Sequence, residues 1–435
     1  MSLTLLSRLS QHSLLRSLRV LISGNAVAQL LSVLVAPLLT RLYSPDDFGM
    51  LALFMSASAI AAIPISLQLE SAIPLPKRQI QAARIFAASI SVAAISTLIL
   101  CIALGGYALY SHLVGTQPHY PLYVFALAII YGYVLSAERA SQYWLLRSDR
   151  IKLIALGAVI AVFCSASFRL VSGGLAPSGL TLIVGAFVGT GAALIAYVKS
   201  GALSTATCHW QRFSLSAWPT LITRVCREYH EFPKFQVPQR LLNTANKHAP
   251  AIVLMGLFGP AIAGFYALAE RIVHLPGRLV SEATRKAFYR HAVKKTHDEQ
   301  PIARTQLLAT GVLALVGFVP FTTLFFCSPW LFKFAFGETW VQAGQYASWL
   351  AIWIYAVFVN TPSVALIPIL RKQKRYLLLN IVGSTTRVTS MLIAALFFSA
   401  ETTVVTFSIA GLCYNLIVIA DVYRQVCRYD QQLQR

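Results

Sequence analysis

The sequence predicts an all-α polytopic membrane protein, with about twelve transmembrane helices in two six-helix lobes related by a pseudo-two-fold axis along the membrane normal. Three observations predict it. The 435-residue chain is 57% hydrophobic and only 12% charged, with a mean hydropathy of +0.65, which no ordinary soluble domain approaches. Its basic residues alternate between successive connections of the apolar stretches. A short motif recurs at matching positions in the two halves.

A span needs about 20 apolar residues to cross ~30 Å of hydrocarbon. The apolar stretches place spans at 20–40, 47–68, 85–109, 121–140, 153–171 and 178–198, then at 240–258, 262–282, 304–327, 342–369, 376–398 and 403–423. The N-terminal segment carries Arg8, Arg16 and Arg19, and the next connection on that side carries Lys77, Arg78 and Arg84. Arg139, Arg147, Arg150 and Lys152 follow, then the stretches Lys199–Arg240 and Arg285–Arg304, the RKQKR run from Arg371 to Arg375, and the tail with Arg424, Arg428 and Arg435. In all, 29 of the 36 Lys and Arg lie on this side, and the opposite connections hold only Arg41, Arg169 and Lys333. Basic loops resist translocation, so both termini are expected in the cytoplasm.

The net charge of +21 does not indicate nucleic acid, because the cations sit in short loops beside apolar helices, where anionic lipid headgroups meet them. Seven cysteines without CxxC or paired spacing indicate neither disulfides nor zinc, and Cys208, Cys226 and Cys427 fall on the reducing side. Ala26-Val27-Ala28 follows three arginines, but Asn25 and Gln29 interrupt the apolar stretch, so signal cleavage is not expected.

The first lobe is assigned to residues 1–198, a cytoplasmic linker to 199–239 and the second lobe to 240–435. Within the linker, Leu215, Trp218, Ile222, Val225 and Tyr229 share one helical face, while Arg224, Arg227, Glu228 and Glu231 take others. That pattern predicts an amphipathic helix on the inner membrane surface. The repeated motif is PxxxGxxAL. It runs from Pro45 through Gly49 to Leu53, and from Pro260 through Gly264 to Leu268. Ala36-Pro37 and Ala249-Pro250 precede the two copies. Parallel six-span repeats are a common transporter plan.

Ionisable groups deep in hydrocarbon cost several kcal/mol unless they face a partner or a wet cavity. The seventh span aligns Asn243, Asn246, Lys247 and Pro250; the eighth aligns Arg271, His274 and Arg278; the eleventh aligns Asn380, Ser384 and Arg387. Arg387 lies ~17 Å beyond Tyr376, Arg271 ~13 Å into its span and Lys247 ~10 Å, whereas Arg278 is shallow enough to snorkel. Glu270 is the carboxylate at comparable depth, too little to neutralise all three deep cations. In the first lobe, Asn25, Gln29 and Ser32 form a polar uncharged face, with Arg41 near the outer end. One wall polar and the other cationic suits a large hydroxyl-rich anion, because Arg pairs with phosphate oxygens and amides bind sugar hydroxyls. Prolines 37, 64, 250, 276, 320, 362 and 368 interrupt spans and permit bends. There is no phosphate-loop motif, no metal-ligand spacing and no connection long enough for a catalytic domain, so neither an enzyme nor a cofactor is expected.

The segments APLLTRLYSPDDFGMLALFMS and LESAIPLPKR resemble the opening of the bacterial polysaccharide exporters. These are the lipid-linked oligosaccharide flippases of O-antigen, lipopolysaccharide and capsule assembly, in the superfamily of multidrug and toxic-compound extruders. REYHEFPKFQVPQRLLNTANKHAPAIVLMGLFGPAIAGFYALAERIVHLPGRLV and LFKFAFGETWVQAGQYASWLAIWIYAVFVNTPSVALIPILRKQKR are similar to the same family, and together the segments cover roughly half of the chain. Family-like positions are Arg41, Pro45, Gly49, Glu70 and Pro74, then Phe232, Pro233, Gly264, Arg271, Pro276, Gly337 and Trp340. The resemblance implies two lobes around a cavity, no ATPase, and transfer of undecaprenyl-pyrophosphate-linked repeat units to the periplasmic leaflet by alternating access. The expected substrate contacts are Arg271, Arg387, Lys247, Asn243, Asn246, Asn25, Gln29 and Arg41, with Glu70 and Glu270 as ion-coupling groups. Membrane lipids are expected partners, with polymerase and chain-length machinery beside them. The rival readings are a cation-coupled drug extruder of the same fold, a membrane polymerase or ligase, and a non-transporting assembly partner. An extruder would want acidic groups where this chain has arginines, and a polymerase would want a long outer loop.

Overall fold

A computed structural model describes residues 24–115, 121–204, 218–370 and 372–433. Arg8, Arg16, Arg19, Cys208, Arg212, Leu215, Arg371 and Arg435 lie outside the described residues, as does the side chain of Arg278. The described elements are helical, with no strand among them. They are α1 (Gly24–Leu42), α2 (Pro45–Ser66), α3 (Gln79–Val114), α4 (Leu122–Arg147), α5 (Ile151–Leu175), α6 (Gly179–Lys199) and α7 (Trp218–Glu228). After these come α8 (Val237–Phe258), α9 (Pro260–His297), α10 (Ala303–Phe336), α11 (Val341–Val359), α12 (Thr361–Leu366), α13 (Gln373–Phe397) and α14 (Ala400–Leu433).

Ten described helical segments are long and apolar enough to cross a membrane, and this is a multi-pass membrane protein. The two expected spans outside those ten are α8 and α9. Asn243, Asn246 and Lys247 dilute the first, and Glu270, Arg271 and His274 the second, so the helices richest in candidate ligands are the least apolar. Several helices outrun their expected spans. The 262–282 stretch grows into the 38-residue α9, and the 403–423 stretch into the 34-residue α14. Charge ends an apolar run, but backbone hydrogen bonding carries the helix on into the headgroup layer. The 342–369 stretch instead breaks at Asn360, where Pro362 in the first turn of α12 starts a new helix.

The chain forms two compact units. They divide within α8, after His248, and Ser44–Gly49 belongs with the second unit.

In the first unit, α3 packs on α4 and α5 on α6. Ser178 caps α6 in a reciprocal box with Thr181, satisfying amides that would otherwise lack partners. A core of Ile73, Phe86, Trp144, Leu145, Tyr197 and Leu203 joins the α3 and α4 ends to the segment after α6. The indole of Trp144 donates to the Ala202 carbonyl at 3.1 Å, and Arg147 donates to the carbonyls of Pro74 and Lys77 at 3.1 and 3.2 Å. Arg147 therefore pins the LESAIPLPKR segment. Val225 of α7 is buried in this core, with Leu221 and Tyr229 packed beside it. Val225 and Tyr229 both belong to the expected apolar face of this helix; Val225 is buried and Tyr229 half-buried against the apolar seat at the ends of α3 and α4.

In the second unit, α10 packs on α11, and α11 also meets α9 and α14. Asp430 of α14 accepts hydrogen bonds from the Ile302 and Ala303 amides at 2.8–3.0 Å, capping α10 from across the unit. The two PxxxGxxAL motifs meet here. A Cβ on Gly49 would stand 1.9 Å from the Pro260 carbonyl oxygen, and one on Gly264 would stand 2.0 Å from that of Pro45. Each glycine thus receives the proline carbonyl of the other copy. Trp340 is fully buried beside them, edge-on to Phe48 at 5.0 Å and to Phe265 at 5.7 Å.

Candidate functional site

The second unit builds a cationic box around Arg387. Residues 380, 384 and 387 of α13 share a face, and the structure lines that face with α11, α14 and α9. The Arg387 guanidinium carbon lies 4.7 Å from the ring centroids of both Trp353 and Phe407, well inside the ~6 Å reach of a cation–π contact. The two rings meet edge to face at 5.2 Å, and the His274 ring packs edge-on to Trp353 at 5.7 Å. Two glycines make the room. A Cβ on Gly411 would strike the Trp353 ring at 2.4 Å, and one on Gly383 the Tyr414 ring at 2.1 Å.

Glu270, Tyr266 and Tyr414 lie within electrostatic reach of Arg387, and Glu270 stands 3.9 Å from His274. No described residue accepts a hydrogen bond from the buried Arg387 Nε. Tyr414 donates to Asn380 Oδ1 at 3.3 Å, and Ser384 lies 3.5 Å from the same oxygen. A guanidinium set against two rings that themselves meet edge to face leaves the N–H edge containing Nε for an acceptor. That edge matches the paired oxygens of a phosphate or carboxylate.

Arg271 belongs to the same unit, directly after Glu270 on α9, and is exposed. Lys247, Asn243 and Asn246 fall in the part of α8 that clusters with the first unit; Lys247 and Asn243 are exposed and Asn246 is half-buried. Also in the first unit, Asn25 and Arg41 are exposed on α1, while Gln29 is half-buried with an Oε1 that finds no described partner. The structure therefore gathers Arg387, Glu270 and His274 into one site and places the polar α1 face and Lys247 in the other unit.

Glu70 sits in a short 3-10 turn between α2 and α3, 1% exposed, with neither carboxylate oxygen hydrogen-bonded to a described residue. Burial pushes its carboxyl above the usual 4.5, outweighing the opposite pull of its own backbone amide and of the nearby Arg139 and Arg240. The turn is entered through Leu67 and Gln68, both in the left-handed region at φ 46° and 58°.

Trp353, Phe407, Tyr266 and Tyr414 escape a sequence reading because aromatics in an apolar run read as core. The small residues facing them, Gly383 and Gly411, are the faint signal that something bulky packs there. Among the described residues no group of three or more His, Cys, Asp or Glu could hold a metal ion.

Fold and site together define a multi-pass helical membrane protein with a buried, aromatic-walled cationic site. A family profile described as "Polysaccharide biosynthesis protein" matches residues 38–345, more than half of the chain, and the protein belongs to that family. It is 27% identical over 165 residues to the teichuronic acid biosynthesis protein TuaB of Bacillus subtilis (strain 168), a match spanning 37% of this chain and 34% of that one. The chain thus covers about a third of the length of this curated relative. Its fold is that of the lipid II flippase MurJ in an inward closed conformation, with a TM-score of 0.69 at 12% identity over 95% of this chain and 90% of that one. An inward-facing multidrug resistance MATE transporter of the MOP superfamily also matches, with a TM-score of 0.57 at 14% identity over 93% and 96% of the two chains.

Proposed function

We propose that this protein is a flippase of the bacterial inner membrane. It moves undecaprenyl-pyrophosphate-linked oligosaccharide repeat units from the cytoplasmic to the periplasmic leaflet by alternating access, for surface polysaccharide such as O-antigen or capsule. The observation that carries the reading is Arg387, a deep guanidinium flanked by Trp353 and Phe407 whose Nε lacks a described acceptor. Membership of a polysaccharide biosynthesis family and a fold shared with a lipid flippase support it. On this reading Arg387 and Arg271 hold the pyrophosphate, Lys247 assists, and Asn25, Gln29, Asn243, Asn246 and Arg41 meet the sugars. The lipid stays in the bilayer, both termini stay in the cytoplasm, and no step needs a catalytic residue. Polymerase and chain-length proteins receive the product.

A guanidinium walled by aromatic rings at the deep site argues against a cation extruder. For ion coupling, Glu270 is the candidate that the second unit sets within reach of Arg387 and beside His274. Glu270→Gln is expected to slow transport without lowering the amount of protein in the membrane, as read by repeat-unit turnover in intact cells. Unchanged turnover removes Glu270 from the mechanism.

The decisive experiment uses a strain deleted for this chain. Lipid-linked oligosaccharide should accumulate on the cytoplasmic leaflet, be cured by the wild type, and persist with Arg387→Ala and Arg271→Ala. Cure by all three proteins would keep the flippase and discard the cationic site. No accumulation, with surface polysaccharide intact, would overturn the function.

A further inference from the structure

Away from the Arg387 box, the second unit has a crevice of about 460 Å³ lined by Arg285 and Tyr289 of α9, Val364 of α12, Ile367, and Gln373 and Tyr376 of α13. That volume falls within the ~300–1,000 Å³ of sites that hold small organic ligands. Its height is fixed by the spans around it, since one apolar segment ends at Leu366 and the next begins at Gln373. The crevice therefore opens where hydrocarbon gives way to headgroups.

Its chemistry is divided in the same way. Val364 and Ile367 give an apolar wall backed by the core of Phe288, Leu366, Val418 and Val422. Arg285 in the lining is exposed, and the exposed Lys372 precedes Gln373 in the chain. Arg375 is committed elsewhere, its Nε donating to Asp421 at 3.1 Å, whereas no described residue pairs with Arg285. Apolar walls under a cationic rim fit an amphiphile whose anionic group sits directly on its hydrocarbon, as in a polyprenyl phosphate.

A polar track leads inward from the crevice. Tyr376 lies beside Tyr414, which donates to Asn380, which adjoins Ser384, and Arg387 follows one turn later on α13. From Tyr376 to Arg387 this covers ~17 Å along the helix. A lipid that merely fills the protein's boundary has no use for such a track; a carrier that must deliver phosphate to Arg387 does.

We infer that this crevice is a loading site for the phosphate end of the polyprenyl carrier, occupied before the phosphate reaches Arg387. The inference rests on the flippase reading above and adds to it a second, outer lipid-phosphate site.

The test uses the full chain in phosphatidylcholine nanodiscs, with the exposed Tyr289 replaced by the photoreactive p-benzoylphenylalanine and radiolabelled undecaprenyl phosphate as the probe. Labelling should saturate and fall at least five-fold with Arg285→Gln, an exposed position, and with Gln373→Trp, which closes the mouth. It should survive Arg387→Gln. Unlabelled undecaprenyl phosphate should compete, and equal phosphatidylglycerol or inorganic phosphate should not. Absent labelling, labelling indifferent to both mouth variants, or equal competition by phosphatidylglycerol would overturn the inference. The two readings fail separately. Specific labelling without lipid-linked oligosaccharide build-up in the deletion strain would keep the crevice and remove the flippase; build-up without labelling would do the reverse.

Discussion

The two units treat buried polar groups differently. In the first, the polar face of α1 is uncharged, and the deeply buried carboxyl of Glu70 lies in a turn outside the spans. In the second, a guanidinium is placed inside the membrane-spanning helices and walled by Trp353 and Phe407. Amides tolerate partial satisfaction and bind sugars with modest, replaceable contacts. A buried cation is costly unless acceptors surround it, and at Arg387 the Nε finds none among the described residues although Glu270 lies within electrostatic reach. On the proposed function, charge recognition falls to the second unit and hydroxyl recognition to the polar α1 face of the first.

The sharpest way to break the comparison is to neutralise the cation. Arg387→Gln removes a bidentate charged donor whose bonds are worth about 1.5–3 kcal/mol each, so transport should fall on the order of 100-fold. Gln29→Ala in the first unit should cost only a few-fold in the same complementation assay. Equal losses would erase the division of labour. Next in size is Gly264→Val, which drives a side chain into the Pro45 carbonyl and should destabilise the second unit by about 3 kcal/mol. Reduced yield of monodisperse protein and a lower Tm in detergent would show it, and an unchanged Tm would mean the α2–α9 contact is soft. Asp430→Ala removes the cap on α10 and should cost about 1–2 kcal/mol, read as a smaller fall in Tm with no specific transport defect.

The smallest effect tests the first unit's buried acid. Because burial raises the Glu70 carboxyl above 4.5, folding favours its protonated form. The stabilisation is complete below pH 4.5 and is lost as pH rises through the raised value. Wild-type Tm should therefore decline across that window relative to Glu70→Gln, whose amide does not titrate. Parallel curves would show that Glu70 is satisfied as a carboxylate.

Much of the fold was legible because bilayer thickness and the cost of moving cations act on composition directly. Arg387 and Arg271 stood out for the same reason, as charges where hydrocarbon should be. Trp353, Phe407 and Tyr414 did not, because nothing in a run of apolar residues tells a packed ring from a binding wall. Glu138 was passed over as well. It lies within the α4 span and accepts a hydrogen bond from Gln142 at 3.1 Å, but it falls at the very end of the expected 121–140 span, beside Arg139, where charge is ordinary.

By itself the sequence determined that this chain crosses a membrane many times, where its charges concentrate, and that PxxxGxxAL occurs twice. These follow from local composition, because each apolar stretch meets lipid independently of the others. Only the tertiary structure decided that Gly49 and Gly264 each accept the other copy's proline carbonyl, and that Lys247 clusters with the first unit and Arg387 with the second. It also decided that Val225 packs on protein and that rings from α11 and α14 enclose one guanidinium. Those outcomes depend on which helix faces meet across hundreds of residues, and periodicity within a single helix carries no information about its neighbour.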